Sequence, residues 1–258
     1  MQTENEYKIV KNWVFINNYS LWRYRLTSKT PEMTNNVEEY WIMVFNNSEK
    51  LYAESDLWYY YSKLLYAPNA YHGYHNFRHM MHVTCETYDA CKCMQVDPET
   101  FLVMLLAAIF HDYGHTGDGK VPDYVNIQIA LTNLKVHIHP KHSFLIPKIM
   151  PFIEATEFPH KMIMPNGNPQ YHELLLALRD ADMSQSLFSV WQQQTIFGMG
   201  SEQHKSREEM LRGQLPFLKD ILRFHSEWGK QRFNPMKEVR IAEVEFINEK
   251  IFHTNYYS

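Results

Sequence analysis

Long apolar runs are missing from this chain of 258 residues: no stretch of eighteen or more apolar residues occurs, so a membrane span is not expected. Its start, MQTENEYKIVKNW, lacks the apolar core of a secretory signal, which points to the cytoplasm. A bulk excess of positive charge is missing too. The formal net charge is -4, with acids and bases spread along the chain, so duplex nucleic acid is an unexpected partner. A small anionic substrate would need cations placed locally, such as metal ions. Cysteine is scarce, with Cys85, Cys91 and Cys93 the only three. An odd count in a chain this long is not a disulfide framework. Cys91 and Cys93 lie two apart with no second pair, which is not zinc-ribbon spacing. They read as reduced thiols on a helix. Alternating apolar and polar runs between turn residues are scarce as well, so no substantial sheet is expected.

What remains reads as helix. Hydrophobic residues make up 45% of the chain and aromatics 15%, enough for a sizeable core in one large domain. Three segments open with a side-chain cap followed by proline: Asp97-Pro98, Asn168-Pro169 and Asn234-Pro235. FLVMLLAAIF after Pro98 is apolar all round and reads as a central buried helix ending at His111-Asp112. Tyr71 to Met94, the segment after Pro169, Glu202 to Phe224, and Pro235 to Phe252 complete the helical reading. Leu57 to Tyr66 reads as aromatic core packing, with the lining of a pocket as the alternative. The expected architecture is all-α: one compact multi-helix domain over residues 34–258, preceded by a peripheral helical extension over residues 1–33.

Gly114 to Lys120, GHTGDGK, imitates a phosphate loop. Val121 stands where the magnesium-binding hydroxyl belongs, and a buried helix precedes it rather than a strand, which excludes that reading. Histidine is the unusual count, at 14, and its spacing carries the signal. In YHGYHNFRHMMHV, His75 and His79 lie four apart and would share one face of a helix, with His82 three further on. His111 and Asp112 stand side by side where the buried helix ends, followed by His115. LRDADMSQ puts Asp180 and Asp182 at the end of another apolar helix. Two imidazoles and two carboxylates suffice for a divalent metal. Charged groups at buried helix ends are costly unless something pairs with them, and a metal supplies that pairing.

The order His, His-Asp, Asp resembles the signature of HD-superfamily metal-dependent phosphohydrolases, over roughly Tyr71 to Phe217. Within that superfamily it is most similar to the class I 3',5'-cyclic nucleotide phosphodiesterase catalytic domain. Tyr74-His75-Asn76-Phe77-Arg78-His79 matches its first motif and His111-Asp112-Tyr113-Gly114-His115-Thr116-Gly117 its second. Ala181-Asp182-Met183-Ser184 matches the third, and Gln214-Leu215-Pro216-Phe217 has the spacing of its base-binding Gln-x-x-Phe. The resemblance implies that His79, His111, Asp112 and Asp182 bind a tighter metal, typically zinc. It implies that Asp112 also bridges to a second ion, magnesium or manganese. His75 is then the general acid, His115 a water-contacting residue, and Gln214 and Phe217 the clamp on the base. The implied reaction is attack on a cyclic nucleotide phosphodiester by a metal-activated water, with His75 protonating the departing ribose oxygen. Asp182 holds the motif position, which leaves Asp180 as an acid behind the ligands or on the surface. The chain departs from the pattern at Thr116, where the family has proline, and at Gln185-Ser186, where it has Asn-Pro. Those departures leave open an HD-type nucleotidase or other phosphomonoesterase acting on a nucleotide, or a non-catalytic nucleotide-binding module.

Overall fold

A computed structural model of the chain describes residues 31–161 and 168–253, and those residues form one all-α domain without strands. The helices are α1 (Pro31–Glu54), α2 (Trp58–Leu65), α3 (Phe77–Cys93), α4 (Pro98–Phe110) and α5 (Asp123–His137). They continue with α6 (Ile146–Ala155), α7 (Pro169–Met183), the single turn α8 (Gly200–Glu202), α9 (Arg207–Pro216) and α10 (Glu227–Asn248). Residues 1–30 of the expected extension lie outside the described residues, and the expected boundary at residue 34 falls inside α1.

The apolar run after Pro98 forms α4, in which every residue from Val103 to Phe110 is buried. Asp97 starts it as expected, its side chain accepting from the N–H groups of Glu99 and Thr100 at 3.0 and 3.1 Å. Around α4 pack α3, α6 and α5, while α3 also packs on α1 and α7. The arrangement brings three helix ends together: the first turn of α3 and the C-terminal ends of α4 and α7. Asn168 caps α7 as expected, accepting from Tyr171 N at 3.1 Å. Leu57, Tyr60, Tyr61, Leu64 and Leu65 are buried core, while Tyr59 and Tyr66 of the same stretch are exposed.

Two helix boundaries differ from the sequence reading. Residues 71–76 are turns, and α3 begins only at Phe77, because Asn76 is the cap: its Oδ1 accepts from Arg78 N and His79 N. His75 therefore precedes the helix that carries His79. Asn234-Pro235 is no start signal either. Helix α10 begins at Glu227 under a Ser226 cap, and Pro235 sits inside it. The segment expected over Glu202 to Phe224 divides likewise. Glu202 ends the preceding turn, α9 starts under a Ser206–Glu209 capping box, and the pitch widens to a π-helical turn at Phe217–Ile221 after Pro216.

Candidate metal centre

His79 stands in the first turn of α3, His111 at the C-terminal end of α4, Asp112 one residue beyond it and Asp182 in the last turn of α7. Packing gathers one ligand atom from each of the four within 4.8 Å of one another. His79 Nε2 lies 3.0 Å from Asp182 Oδ1 and 3.2 Å from Asp112 Oδ2, and His111 Nε2 lies 3.2 Å from the same Asp112 oxygen. The two Nε2 atoms are 3.4 Å apart. Asp112 Oδ2 is buried with no partner in hydrogen-bond geometry, although both imidazoles flank it. That orphaned carboxylate oxygen, together with two imidazole nitrogens and a second carboxylate, is the donor set a divalent ion takes, and the four residues can hold one.

The ring orientations fit the same reading. His111 Nδ1 donates to the Ala108 carbonyl at 2.7 Å, satisfying one of the orphan carbonyls at the end of α4 and leaving Nε2 to face the cluster. His79 Nδ1 faces the Gln185 amide oxygen at 2.9 Å, with the same result. Burial alone would lower the pKa of His79, but Asp112 and Asp182 outweigh it and push the ring up to about 9. Burial likewise opposes the rise of His111, which Asp112 then Asp182 carry well above the usual histidine range. Both carboxylates are held well down against their burial, chiefly by the neighbouring His111 and His79 rings. In the metal-free fold the ring nitrogens hold protons and the carboxylates stay charged.

Asp180 takes no part. Its carboxylate accepts from His225 N, Ser226 N and Ser226 Oγ, the last at 2.6 Å, and so fastens the start of α10 to α7. It is buried, not at the surface.

His75 lies beside the cluster in the 71–76 turns. Its Nδ1 donates to Glu202 Oε2 at 2.6 Å, while Glu202 Oε1 accepts the backbone N–H groups of Tyr74 and His75. Burial alone would lower the pKa of His75, but the Asp112 and Glu202 charges together raise it. Its other nitrogen is free of the dyad, and 24% of the side chain remains accessible. The loop reaches Glu202 because Gly73 and Gly198 pass backbone to backbone; a Cβ on either would run into the carbonyl of the other. His115 stacks on His75 with ring centroids 3.6 Å apart, and burial, then the His75 charge, drives it down to about 4. Its Nδ1 accepts from Gly117 N, a contact allowed by the left-handed backbone at Gly117. His75, His115 and Glu202 also lie close enough to hold an ion. The Nδ1 atoms of both histidines are engaged, by Glu202 and by Gly117 N, and their Nε2 atoms are not.

Sequence reasoning missed Glu202, and it missed Asn69. The fully buried Asn69 donates to the His75 and Asp112 carbonyls, each at 2.8 Å, and accepts from Gly114 N, which ties the first two motifs together. Neither residue stands at a readable spacing from its partners. Thr116 has a visible role: its N–H and hydroxyl both donate to Asn126 Oδ1, and a proline has neither group. Gln214 is buried on α9 with its Nε2 unpartnered, and Phe217 is half-buried against the core at the π-helical turn. Helix α9, which carries Gln214, packs on residues 192–199 and α10, the Phe217 turn packs on α9 and α10, and neither residue belongs to the four-ligand group. The three cysteines are free. No described helix is long and apolar enough to cross a membrane.

Comparison of the chain with protein-family models, with curated proteins and with solved structures finds no match.

Proposed function

We propose that the protein is a metal-dependent phosphohydrolase whose substrate is a cyclic nucleotide phosphodiester. The observation that supports this best is the adjacency of two devices: a cation-holding group of two histidines and two aspartates, and a separate histidine tethered by a glutamate. A divalent ion held by His79, His111, Asp112 and Asp182 would supply a water of lowered pKa and neutralise phosphate oxygens. A second ion, magnesium or manganese beside zinc, belongs to the same proposal, and Asp112 would help to hold it.

The chain's own residues account for the rest. Glu202 holds the proton on His75 Nδ1 and stabilises the imidazolium, which leaves the opposite nitrogen to deliver a proton. As water attacks phosphorus and the bond to the ribose oxygen breaks, that oxygen takes the proton from His75. His115, neutral and stacked on His75, keeps the ring in its plane and excludes water from one face. The orphaned Gln214 amide offers a hydrogen-bond donor to a base edge, and the Phe217 ring a surface to stack on.

The purified protein, supplied with manganese, is to be assayed against a panel of cyclic and linear nucleotides. Release of a phosphomonoester from a 3',5'-cyclic nucleotide supports the reading. Activity on linear monophosphates alone would make the protein a nucleotidase, and no turnover of any of them with metal bound would make it a binding module. His75→Ala is expected to keep its metal and to lose about 100- to 10,000-fold in rate.

A further inference from the structure

We infer that Gln185 is a positioning residue for the metal centre: its amide oxygen holds the proton on His79 Nδ1 and thereby frees His79 Nε2 for the ion. The inference rests on the metal-centre reading above. Gln185 lies in the 3-10 turn Ser184–Leu187, directly after α7, and is fully buried. Its Oε1 stands 2.9 Å from His79 Nδ1. An imidazole that ligates through one nitrogen must keep its proton on the other, and that proton needs an acceptor in a buried site. The two histidines of the cluster meet this need differently. His111 uses the main-chain carbonyl of Ala108, which no side-chain substitution removes. His79 depends on the Gln185 side chain.

The geometry adds a coupling. Gln185 is three residues beyond Asp182, so one short segment grips both nitrogens of the same ring: Asp182 Oδ1 at Nε2 and Gln185 Oε1 at Nδ1. That segment is pinned from a third side. Ser184 Oγ donates to the Ala181 carbonyl at 2.7 Å and so must accept from His82 Nε2, 2.9 Å away. His82 Nδ1 then accepts from the Tyr40 hydroxyl, 2.5 Å away. His82 is one turn beyond His79 on α3, so residues 182–185 hold two successive turns of that helix. The opposite amide orientation would turn the Gln185 NH₂ group toward His79 Nδ1. That would drive the ring proton onto Nε2, where the ion must bind.

Zn²⁺ binding to the full chain is to be measured by competition with a chelator, for the wild type, Gln185→Leu, Gln185→Glu and Asp182→Ala. Melting of each metal-free protein reports folding. Gln185→Leu is expected to weaken Zn²⁺ about 10- to 100-fold, the usual effect of removing a ligand's hydrogen-bond partner. Gln185→Glu keeps an acceptor at the same reach and should recover most of that loss. Nitrogen-15 NMR of the zinc-loaded wild type should show His79 protonated on Nδ1. If the wild type and Gln185→Leu bind Zn²⁺ equally while Asp182→Ala does not, the inference falls and the metal centre stands. A wild type that binds no divalent ion removes the metal centre itself. If Gln185→Leu does not fold, the NMR result and Gln185→Glu still decide: a loaded His79 without a proton on Nδ1, or a Gln185→Glu protein with affinity lost, overturns the role.

Discussion

His75 and Glu202 lie 127 residues apart in the chain and meet through a 2.6 Å hydrogen bond between Nδ1 and Oε2. The same carboxylate accepts the two backbone N–H groups at the His75 end of the loop, so it holds both the ring and the backbone beneath it. Glu202→Gln is expected to lower kcat by roughly 10- to 100-fold, less than loss of His75 itself. Since the Glu202 charge helps raise the pKa of His75, the basic limb of the pH–rate profile should move to lower pH. Metal content should not change. A variant that lost its metal and kept its pH profile would make Glu202 a ligand.

Asp180 and Asp182 separate by function despite lying two residues apart. Asp182→Asn should lose the metal and leave the metal-free protein folded. Asp180→Ala should bind metal normally when folded, but it orphans the buried Ser226 N–H, at a cost on the order of 1–3 kcal/mol, and frees the N–H of exposed His225. Metal content alongside denaturant unfolding checks both. Metal loss in Asp180→Ala with unchanged stability would reverse the two roles.

The pH dependence of metal binding follows from the raised histidines. His79 titrates near 9 in the metal-free fold, above the ordinary histidine value, and His111 is raised in the same direction. Bound metal must displace those protons, so affinity should climb with pH up to about 9, by roughly one to two decades per pH unit for one to two protons released. Without metal the sign is opposite. Stabilisation from the raised His79 is fully present below pH 6.5 and is lost as the pH rises through about 9. Calorimetric titrations in buffers of different ionisation heat count the protons. Affinity flat between pH 6 and 9 would contradict the cluster's electrostatics.

Phe217 tests the nucleotide. Phe217→Ala should raise the KM for a cyclic nucleotide about 5- to 100-fold, the equivalent of roughly 1–3 kcal/mol of stacking. Hydrolysis of bis(p-nitrophenyl) phosphate, which has no base, should be nearly unchanged. Equal damage to both substrates would make Phe217 a packing residue, in keeping with its contact with the core.

The sequence by itself determined the helical class and the four residues whose chemistry suits a cation. An apolar run with a cap at one end and His111-Asp112 at the other is a local pattern, and Asp97 and Asn168 cap their helices through neighbours two or three residues away. Local signals misled where a stronger local partner competed. Asn76 took the cap that excludes His75 from α3, and Ser226 started α10 ahead of Pro235. Only the tertiary structure decided which residues hold the ligands in place. Gln185 meets His79 across 106 residues, Glu202 meets His75 across 127, and Asp180 turns away to Ser226 across 46. No periodicity encodes such separations. They exist because α3, α4 and α7 bury their apolar faces together, and the polar groups left at their shared end must find partners there.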